Sequence, residues 1–386
     1  MHTIHSKERI KINIALSEIH YIVIHLTRGC ITMLNFNALA DALSNHIVCN
    51  KSRLHFIVRF IVVLFKTRSV NFTKIANQIE GADKEESRYR QIQRFFEIHS
   101  IDHQQIALLV GDIVPNKHDK WTLSIDRTNW KYGTQNINIL TLAITYQGIA
   151  FPLIWTMLDK RGNSNTSERI KLIEEFIFLF GKEKIDCLLA DREFIGEEWF
   201  NYLIKNNISF RIRLKNTEYI NKTNGQRAYI KNFFRNIKRL ENKTLQNKRL
   251  LWSNLLYITG TKSTKGEYVI IATNIKPDTA LEDYAKRWEI ETLFKCLKSS
   301  GFNFEDTHVK CLKKISKLMA LLTIAYSWAY ITGEWVTQHS PIRIKSHGRK
   351  ERSVFRVGLN ILGEIVVHIH RKPKQFQWVA RLLSRT

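Results

Sequence analysis

The sequence predicts an α/β protein with helical flanks. Three observations carry that prediction: apolar residues recur at helical spacing over the first third, strand-like alternation takes over at Trp121, and an amphipathic helical pattern returns near Leu281. From Met33 to about Val114 the apolar positions, among them Phe56, Phe60, Val63 and Leu64, fall on helical stripes with Arg and Lys between them. Residues 33–115 therefore read as a basic helical domain. Residues 1–32 show no clear amphipathic period, and Met33 opens the regular pattern, so residues 1–32 are set apart as a leader with Met33 as a candidate start.

In the run from Trp121 to Asp126, Trp121, Leu123 and Ile125 alternate with Thr122, Ser124 and Asp126, which predicts a strand closing at Asp126. Two further strands are expected at Ile137 to Tyr146 and Ile149 to Thr156. A helix from about Ser167 is expected to bury Ile170, Ile173, Phe176, Ile177 and Phe180, and a short strand to run from Asp186 to Asp191. After a helix from Glu197 to Lys205, the alternation from Ile208 to Leu214 predicts a half-exposed strand with Arg211 and Arg213 on its polar face. Residues 215–278 carry strand-like runs at Leu250 to Ile258 and Tyr268 to Thr273 and read as a basic, mainly β insertion. A helix then opens near Thr279, and a basic segment, 341–386, closes the chain. This order is compatible with a ribonuclease-H-like core in two parts, residues 116–214 and 279–340, by connectivity alone.

Lys and Arg total 60 against 35 Asp and Glu, a net charge of +25, which points to a polyanionic partner: nucleic acid or an anionic membrane surface. Between Lys205 and Arg249 there are 13 Lys and Arg and only two acids, Glu218 and Glu241. The best membrane candidate, the apolar run Leu318 to Thr332, falls short of a span, contains Tyr326, Ser327 and Tyr330, and stops before Glu334, so it reads as a buried core helix. No membrane partner is expected. The five cysteines form no Cys-x-x-Cys pair and follow no secretory signal pattern, which fits a reducing cytoplasm. The histidines lack zinc-ligand spacing, and His368 and His370 alternate as on a strand.

Two of the predicted strands end in a carboxylate, Asp126 and Asp191. A strand-terminal aspartate is more often a turn or cap residue than a catalyst, so the helix near Leu281 decides the reading. At ~100° per residue, Tyr284, Arg287, Glu291 and Lys298 fall within roughly 60° of one another. Ile290, Leu293, Phe294 and Leu297 form a separate apolar stripe that seats the helix. Trp288 lies off that stripe beside Tyr284, where packing on a domain and stacking on a base are both open. Two aspartates at strand ends and a glutamate on a facing helix would give hard oxygen ligands for the divalent ions that phosphoryl transfer requires.

The spacing Tyr-x2-Arg-x3-Glu-x6-Lys, at Tyr284, Arg287, Glu291 and Lys298, resembles the Tyr-Arg-Glu-Lys signature of the insertion-sequence type four DDE transposases. The resemblance extends to Ser124-Ile-Asp-Arg-Thr-Asn-Trp130, to Ala190-Asp-Arg-Glu-Phe194, to Arg90-Gln-Ile-Gln-Arg-Phe-Phe96 and to Arg349-Lys-Glu-Arg-Ser-Val-Phe355, covering roughly residues 33–362. It implies that Asp126, Asp191 and Glu291 are catalytic and hold two Mg2+ ions, with Mn2+ also usable. Tyr284 and Arg287 would grip the DNA end, and Lys298 would contact its phosphates. The helical N-terminal part becomes a DNA-binding domain, and Trp288 and Trp252 become candidate seats for an extruded base. The implied partners are the element's terminal inverted repeats, target DNA and a second copy of the chain, in the cytoplasm on the nucleoid. The implied reaction is cut-and-paste through a hairpin intermediate. The rivals are a catalytically inactive DNA-binding derivative, a stand-alone metal-dependent nuclease, and an anionic-membrane protein whose lipid binding would survive mutation of Glu291.

Overall fold

The computed structural model describes residues 36–80, 84–221 and 225–384, so the leader 1–32 and Met33 lie outside the described residues. The chain forms two compact units: Met1–Arg68, Phe72–Arg94 and Trp328–Thr386 make one, Ser69–Asn71 and Phe95–Ser327 the other. The chain opens with helices α1 (residues 36–44), α2 (Lys51–Thr67), α3 (Phe72–Gln78), α4 (Glu85–Ile98) and α5 (His103–Ile113). Their starts are chemically marked. Asn50 accepts the N–H of Arg53 at 2.9 Å to cap α2, and Asp102 accepts that of Gln104 at 2.9 Å to cap α5.

The chain then enters a three-stranded meander, β1 (Trp121–Tyr132), β2 (Gln135–Tyr146) and β3 (Ile149–Met157). The β2–β3 turn places Gln147 and Gly148 at φ of 47° and 90°, the left-handed pair that a two-residue hairpin needs. Helix α6 (Thr166–Phe180), started by an Asn165–Glu168 capping box, leads to β4 (Ile185–Ala190), and α7 (Glu197–Lys205) leads to β5 (Phe210–Arg213). There follow β6 (Tyr219–Asn221), β7 (Arg227–Tyr229), β8 (Asn242–Thr244), β9 (Arg249–Leu251), β10 (Asn254–Lys262) and β11 (Tyr268–Thr273). Helices α8 (Ala280–Ala285), α9 (Trp288–Lys298), α10 (Leu312–His339), α11 (Val354–Val367) and α12 (Pro373–Arg381) complete the order.

The main sheet runs β3-β2-β1-β4-β5-β11-β10-β8, with β9 paired to β10, and β6 and β7 form a separate pair. It is mixed: β1, β2 and β3 are antiparallel, β1, β4 and β5 parallel, and β11 antiparallel to β5. Residues from the 215–278 segment thus extend the main sheet through β8, β10 and β11. Helix α9 packs across β1, β2 and β3 through buried Ile290, Leu293, Phe294 and Leu297, the expected apolar stripe.

Several local expectations need correction. Asp126 does not close its strand: the turn at Gly133 (φ 58°) lets Tyr132 pair with Gln135, so β1 continues six residues further. The helix at Leu281 is not continuous but breaks between α8 and α9. Arg211 does not face solvent, because α8 packs on β5 and sets Asp283 against its guanidinium at 2.7 Å; Arg213 is largely covered too. The run Leu250 to Ile258 is a hairpin turning at Trp252 (φ 53°). In α6, Ile173 and Phe176 are buried as expected, with Arg169 and Leu172 beside them, whereas Ile170, Ile177 and Phe180 are only half-buried. His368 caps the end of α11 and lies on no strand.

Leu318 to Thr332 is the middle of the 28-residue helix α10, which by length and composition could cross a membrane. Its most apolar window is 94% buried inside the protein, the property of a core helix. In the unit containing Trp328–Thr386, α10 and α11 approach until their backbones touch. A Cβ on Gly358 would stand 1.8 Å from the Ala329 carbonyl oxygen, and one on Gly333 would stand 2.0 Å from that of Val354. Gly358→Ala is therefore expected to cost about 1–3 kcal/mol by forcing the helices apart. Thermal unfolding followed by circular dichroism should show a clearly lowered midpoint; an unchanged midpoint would mean that the crossing is not this close.

Candidate functional site

The register of β1 against β4 fixes the first part of the site. Ile125 pairs with Ala190 in parallel, so the next residues, Asp126 and Asp191, stand side by side on strands ~4.8 Å apart and share a face of the sheet. Each carboxylate accepts the N–H of the residue that follows it, Arg127 and Arg192, at 2.7 Å.

The second part comes from the α8–α9 junction. There the N–H of Arg287 bonds the carbonyl of Tyr284 at 3.0 Å and that of Glu289 bonds Lys286 at 3.0 Å, a tightened i to i+3 pattern that ends one helix and starts the next. Tyr284 and Arg287 are thereby turned inward and are only 5% and 3% exposed. The Tyr284 hydroxyl donates to Asp191 Oδ1 at 3.3 Å. Arg287 reaches Asp126 Oδ2 through Nη1 at 3.3 Å and Glu291 Oε1 through Nη2 at 2.5 Å. Arg213 lies 3.9 Å from Asp191. Asp126, Asp191, Tyr284, Arg287 and Glu291 therefore meet in one constellation.

Lys298 stands apart, about 10 Å further along α9 by the rise of seven residues. It donates to the Asn129 carbonyl at 3.2 Å, pairs with Glu305 at 2.8 Å and lies 5.1 Å from the ring of Trp130. Trp288 is 58% exposed at the first turn of α9, beside Gly148, Ala285 and Thr292, so it does not serve as a core residue within its unit. Trp252 is half-buried and meets Phe200 edge-on at 5.3 Å.

Charge decides the chemistry of this cluster. Burial pushes the Asp126 carboxyl up to about 7. The Arg127 N–H and the Arg287 charge offset part of that rise, while Glu193 and Asp191 add to it. Burial pulls Arg287 down, but Tyr284, Glu291, Asp126 and Asp191 outweigh it and hold the guanidinium above its ordinary value. Burial raises the Tyr284 hydroxyl, which stays a neutral donor. Among the described residues no three carboxylate, His or Cys side chains already form a ligand cluster. The carboxylates instead close on the Arg287 guanidinium as a cation. The donor set nonetheless suits a hard divalent ion, being all oxygen and including a carboxyl that burial keeps partly protonated at neutral pH.

A supporting layer escaped the sequence reading. Arg127 holds Glu193 through two bonds of 2.8 and 2.9 Å and also reaches Asn138 at 3.1 Å and Asn163 at 2.9 Å. Arg169, 4% exposed, donates to the Ser164 hydroxyl at 3.0 Å and to the carbonyls of Ser164 at 2.6 Å, Glu193 at 3.0 Å and Ile195 at 3.4 Å. Together they fix the turn that carries Asp191. Glu289 accepts the N–H of Gly148 at 2.8 Å and ties α9 to the β2–β3 turn. Arg127 and Glu193 sit inside the two aspartate blocks, and that position was the available signal; Arg169 gave none beyond interrupting an apolar stripe.

A family model described as the transposase DDE domain matches residues 116–328. No curated protein matches the sequence. Among solved structures, the chain is similar to the piggyBac transposase in a synaptic complex with hairpin DNA. That match has 12% identity and a TM-score of 0.46, and covers 90% of this chain and 80% of that one.

The Asp126 shift has a signed consequence. Its raised folded-state value means that the stability contributed by the neutral carboxyl is fully present below about pH 4 and is lost as the pH rises through about 7. With a chelator present, Asp126→Asn should match the parent in thermal stability near pH 4, gain on it up to about pH 7, and hold a constant advantage above. A difference that is flat across this window would show that Asp126 is not held neutral by burial.

Proposed function

This chain belongs to the transposase DDE domain family and is a DDE transposase, and we propose that it is of the insertion-sequence type four, cutting the ends of a mobile element from DNA and joining them to a target. The observation that carries this reading is the gathering of Asp126, Asp191 and Glu291 around Arg287, with Tyr284 on Asp191, at the Tyr-x2-Arg-x3-Glu spacing. The strand order β3-β2-β1-β4-β5 is read as a ribonuclease-H-like core, with residues 215–278 inserted into it, a helical DNA-binding domain at 33–115 and a basic segment at 341–386.

DDE transposases use divalent metals, and the number here is read as two, Mg2+ with Mn2+ as a substitute. Asp126, Asp191 and Glu291 would hold them. Bound there, the ions supply Lewis-acid stabilisation of the attacking and leaving oxygens. The chain's own residues do the rest. The Arg127–Glu193 clamp and Arg169 keep the Asp191 turn in place, so the two aspartates need little reorganisation. Arg287 and Tyr284 would pass from carboxylate partners to the phosphates of the DNA end. Lys298 would contribute charge further along the same helix. The exposed face of Trp288 is available to stack on an extruded base.

Each chemical step exchanges one phosphorus–oxygen bond for another. A water oxygen attacks the phosphorus at the element's end and releases a 3′ hydroxyl. That hydroxyl attacks the opposite strand, forming a hairpin and freeing the flank. A second water reopens the hairpin, and the 3′ hydroxyl attacks a target phosphate. Two ends have to be joined in one event, so the working form is read as a homodimer on DNA, in the cytoplasm at the nucleoid.

With the gene's own flanking DNA as substrate, the wild type should nick, form hairpins and transfer strands in Mg2+. Glu291→Gln should bind the same DNA and cut it at least ~10³-fold more slowly. Gel analysis of the products separates the rivals: cleavage without hairpin or strand transfer would leave a nuclease, and binding without cleavage by the wild type would leave a DNA-binding relative.

A further inference from the structure

The Arg349–Phe355 block has no place in the catalytic constellation. Its second half starts α11, where the Ser353 hydroxyl accepts the N–H of Arg356 at 3.2 Å and Phe355 is buried. Its first half is the return arm of a short tongue between α10 and α11. Ile344 and Lys350 pair in antiparallel register. The N–H of Lys345 bonds the Arg349 carbonyl and that of Glu351 bonds the Arg343 carbonyl, each at 2.9 Å, and Gly348, at φ 78°, closes the turn. At its root, Trp335 on the last turns of α10 stacks on His339 and meets Trp378 at a tilt of 60°, with ring centres 4.1 Å away in each case.

This ordered tongue carries Arg343, Lys345, Arg349, Lys350 and Arg352, all exposed, against a single acid, Glu351. None of the five cations forms an ion pair among the described residues. The register also places Lys345 directly across from Arg349. Like charges in that position repel, and an anionic partner bound across them would turn that repulsion into attraction. An anionic membrane would favour an inserted apolar face, and the tongue offers only Ile344, 64% exposed.

We propose that the 343–352 tongue grips the phosphate backbone of duplex DNA without reading its sequence. The proposal rests on the reading that DNA is the substrate, and it assigns the contact to a segment outside the catalytic constellation. Such a contact adds affinity through counterion release, so its signature is the salt dependence of binding.

The test measures binding of random 30-base-pair duplexes (length is roughly three helical turns) by fluorescence anisotropy between about 50 and 300 mM KCl. All chains carry Glu291→Gln to prevent cutting. Combined Arg349→Ala, Lys350→Ala and Arg352→Ala should weaken binding at least tenfold at about 0.1 M KCl, equally for two unrelated sequences. It should reduce the slope of log affinity on log salt by about 2–3, since each lost phosphate contact removes about 0.9. Arg349→Lys with Arg352→Lys should keep the parental slope. If the triple variant does not melt like its parent, the single variants Arg349→Ala and Lys350→Ala are read instead, each losing close to one unit of slope.

An unchanged slope, or a loss confined to one sequence, overturns the proposal. So does tongue-dependent binding to phosphatidylserine-rich vesicles with the DNA slope intact, which would assign the tongue to a membrane. A tongue-dependent slope in a wild type that never cuts DNA would sink the catalytic reading and leave this one standing.

Discussion

Carboxylates gathered in one place repel, and the gathering here turns chiefly on one guanidinium, with that of Arg213 near Asp191. Arg287 touches Asp126 and Glu291 directly and feels Asp191, while being almost wholly removed from water. Its positive charge makes two neighbouring aspartates and a nearby glutamate tolerable in a folded chain. Much else is arranged to hold that side chain. The tightened turn between α8 and α9 aims it inward, Glu289 anchors the helix that follows, and the apolar stripe of α9 presses the whole assembly onto β1, β2 and β3. Even with this counter-charge, burial keeps Asp126 partly protonated near neutrality, so a bound cation would displace that proton.

The short-range chemistry could be read directly from the sequence, because it is written in contiguous residues. The alternation before Asp126 and the short apolar run before Asp191 marked their strands, and the apolar stripe on α9 matched burial position by position. What escaped were features decided by distant partners. Alternation in β5 shows that Arg211 and Ile212 face opposite ways, but not that both sides are covered; that depends on α8, far along the chain, and on its Asp283. Arg127 and Glu193 are separated by 66 residues, and nothing local announces their pairing. The break before α9 was invisible for a different reason: Lys286 and Arg287 keep helical dihedrals, and no Gly or Pro interrupts the run. The extra length of α10 was hidden by Lys313, Lys314 and Lys317, which occupy its first turns; Lys314 is held by Glu97 and Lys317 by the Phe96 carbonyl.

Lys298 shows how a sequence stripe and a spatial site can differ. Residues aligned on an ideal helix share an edge, but a helix is long compared with a reaction centre. Seven residues beyond Glu291, the lysine belongs to a different neighbourhood, with Asn129, Trp130 and Glu305 as partners. On the proposed reading its charge would meet DNA that extends away from the centre, rather than the reacting atoms.

The pairing of β1 with β4 also imposes a rule of parity. Side chains on a strand alternate, so shifting β4 by one residue would send Asp191 to the opposite face while leaving the backbone ladder intact. A shift by two would restore its direction but displace it along the sheet. Changes in chain length between α6 and β4 must therefore be absorbed ahead of Cys187, in the turn at residues 181–184 or at the irregular start of the strand. The ladder already skips Asp186 between the Trp121–Ile185 and Thr122–Cys187 pairs, so in this fold indel tolerance stops abruptly at Cys187, and a sequence could drift past that boundary while still folding well and having lost its chemistry.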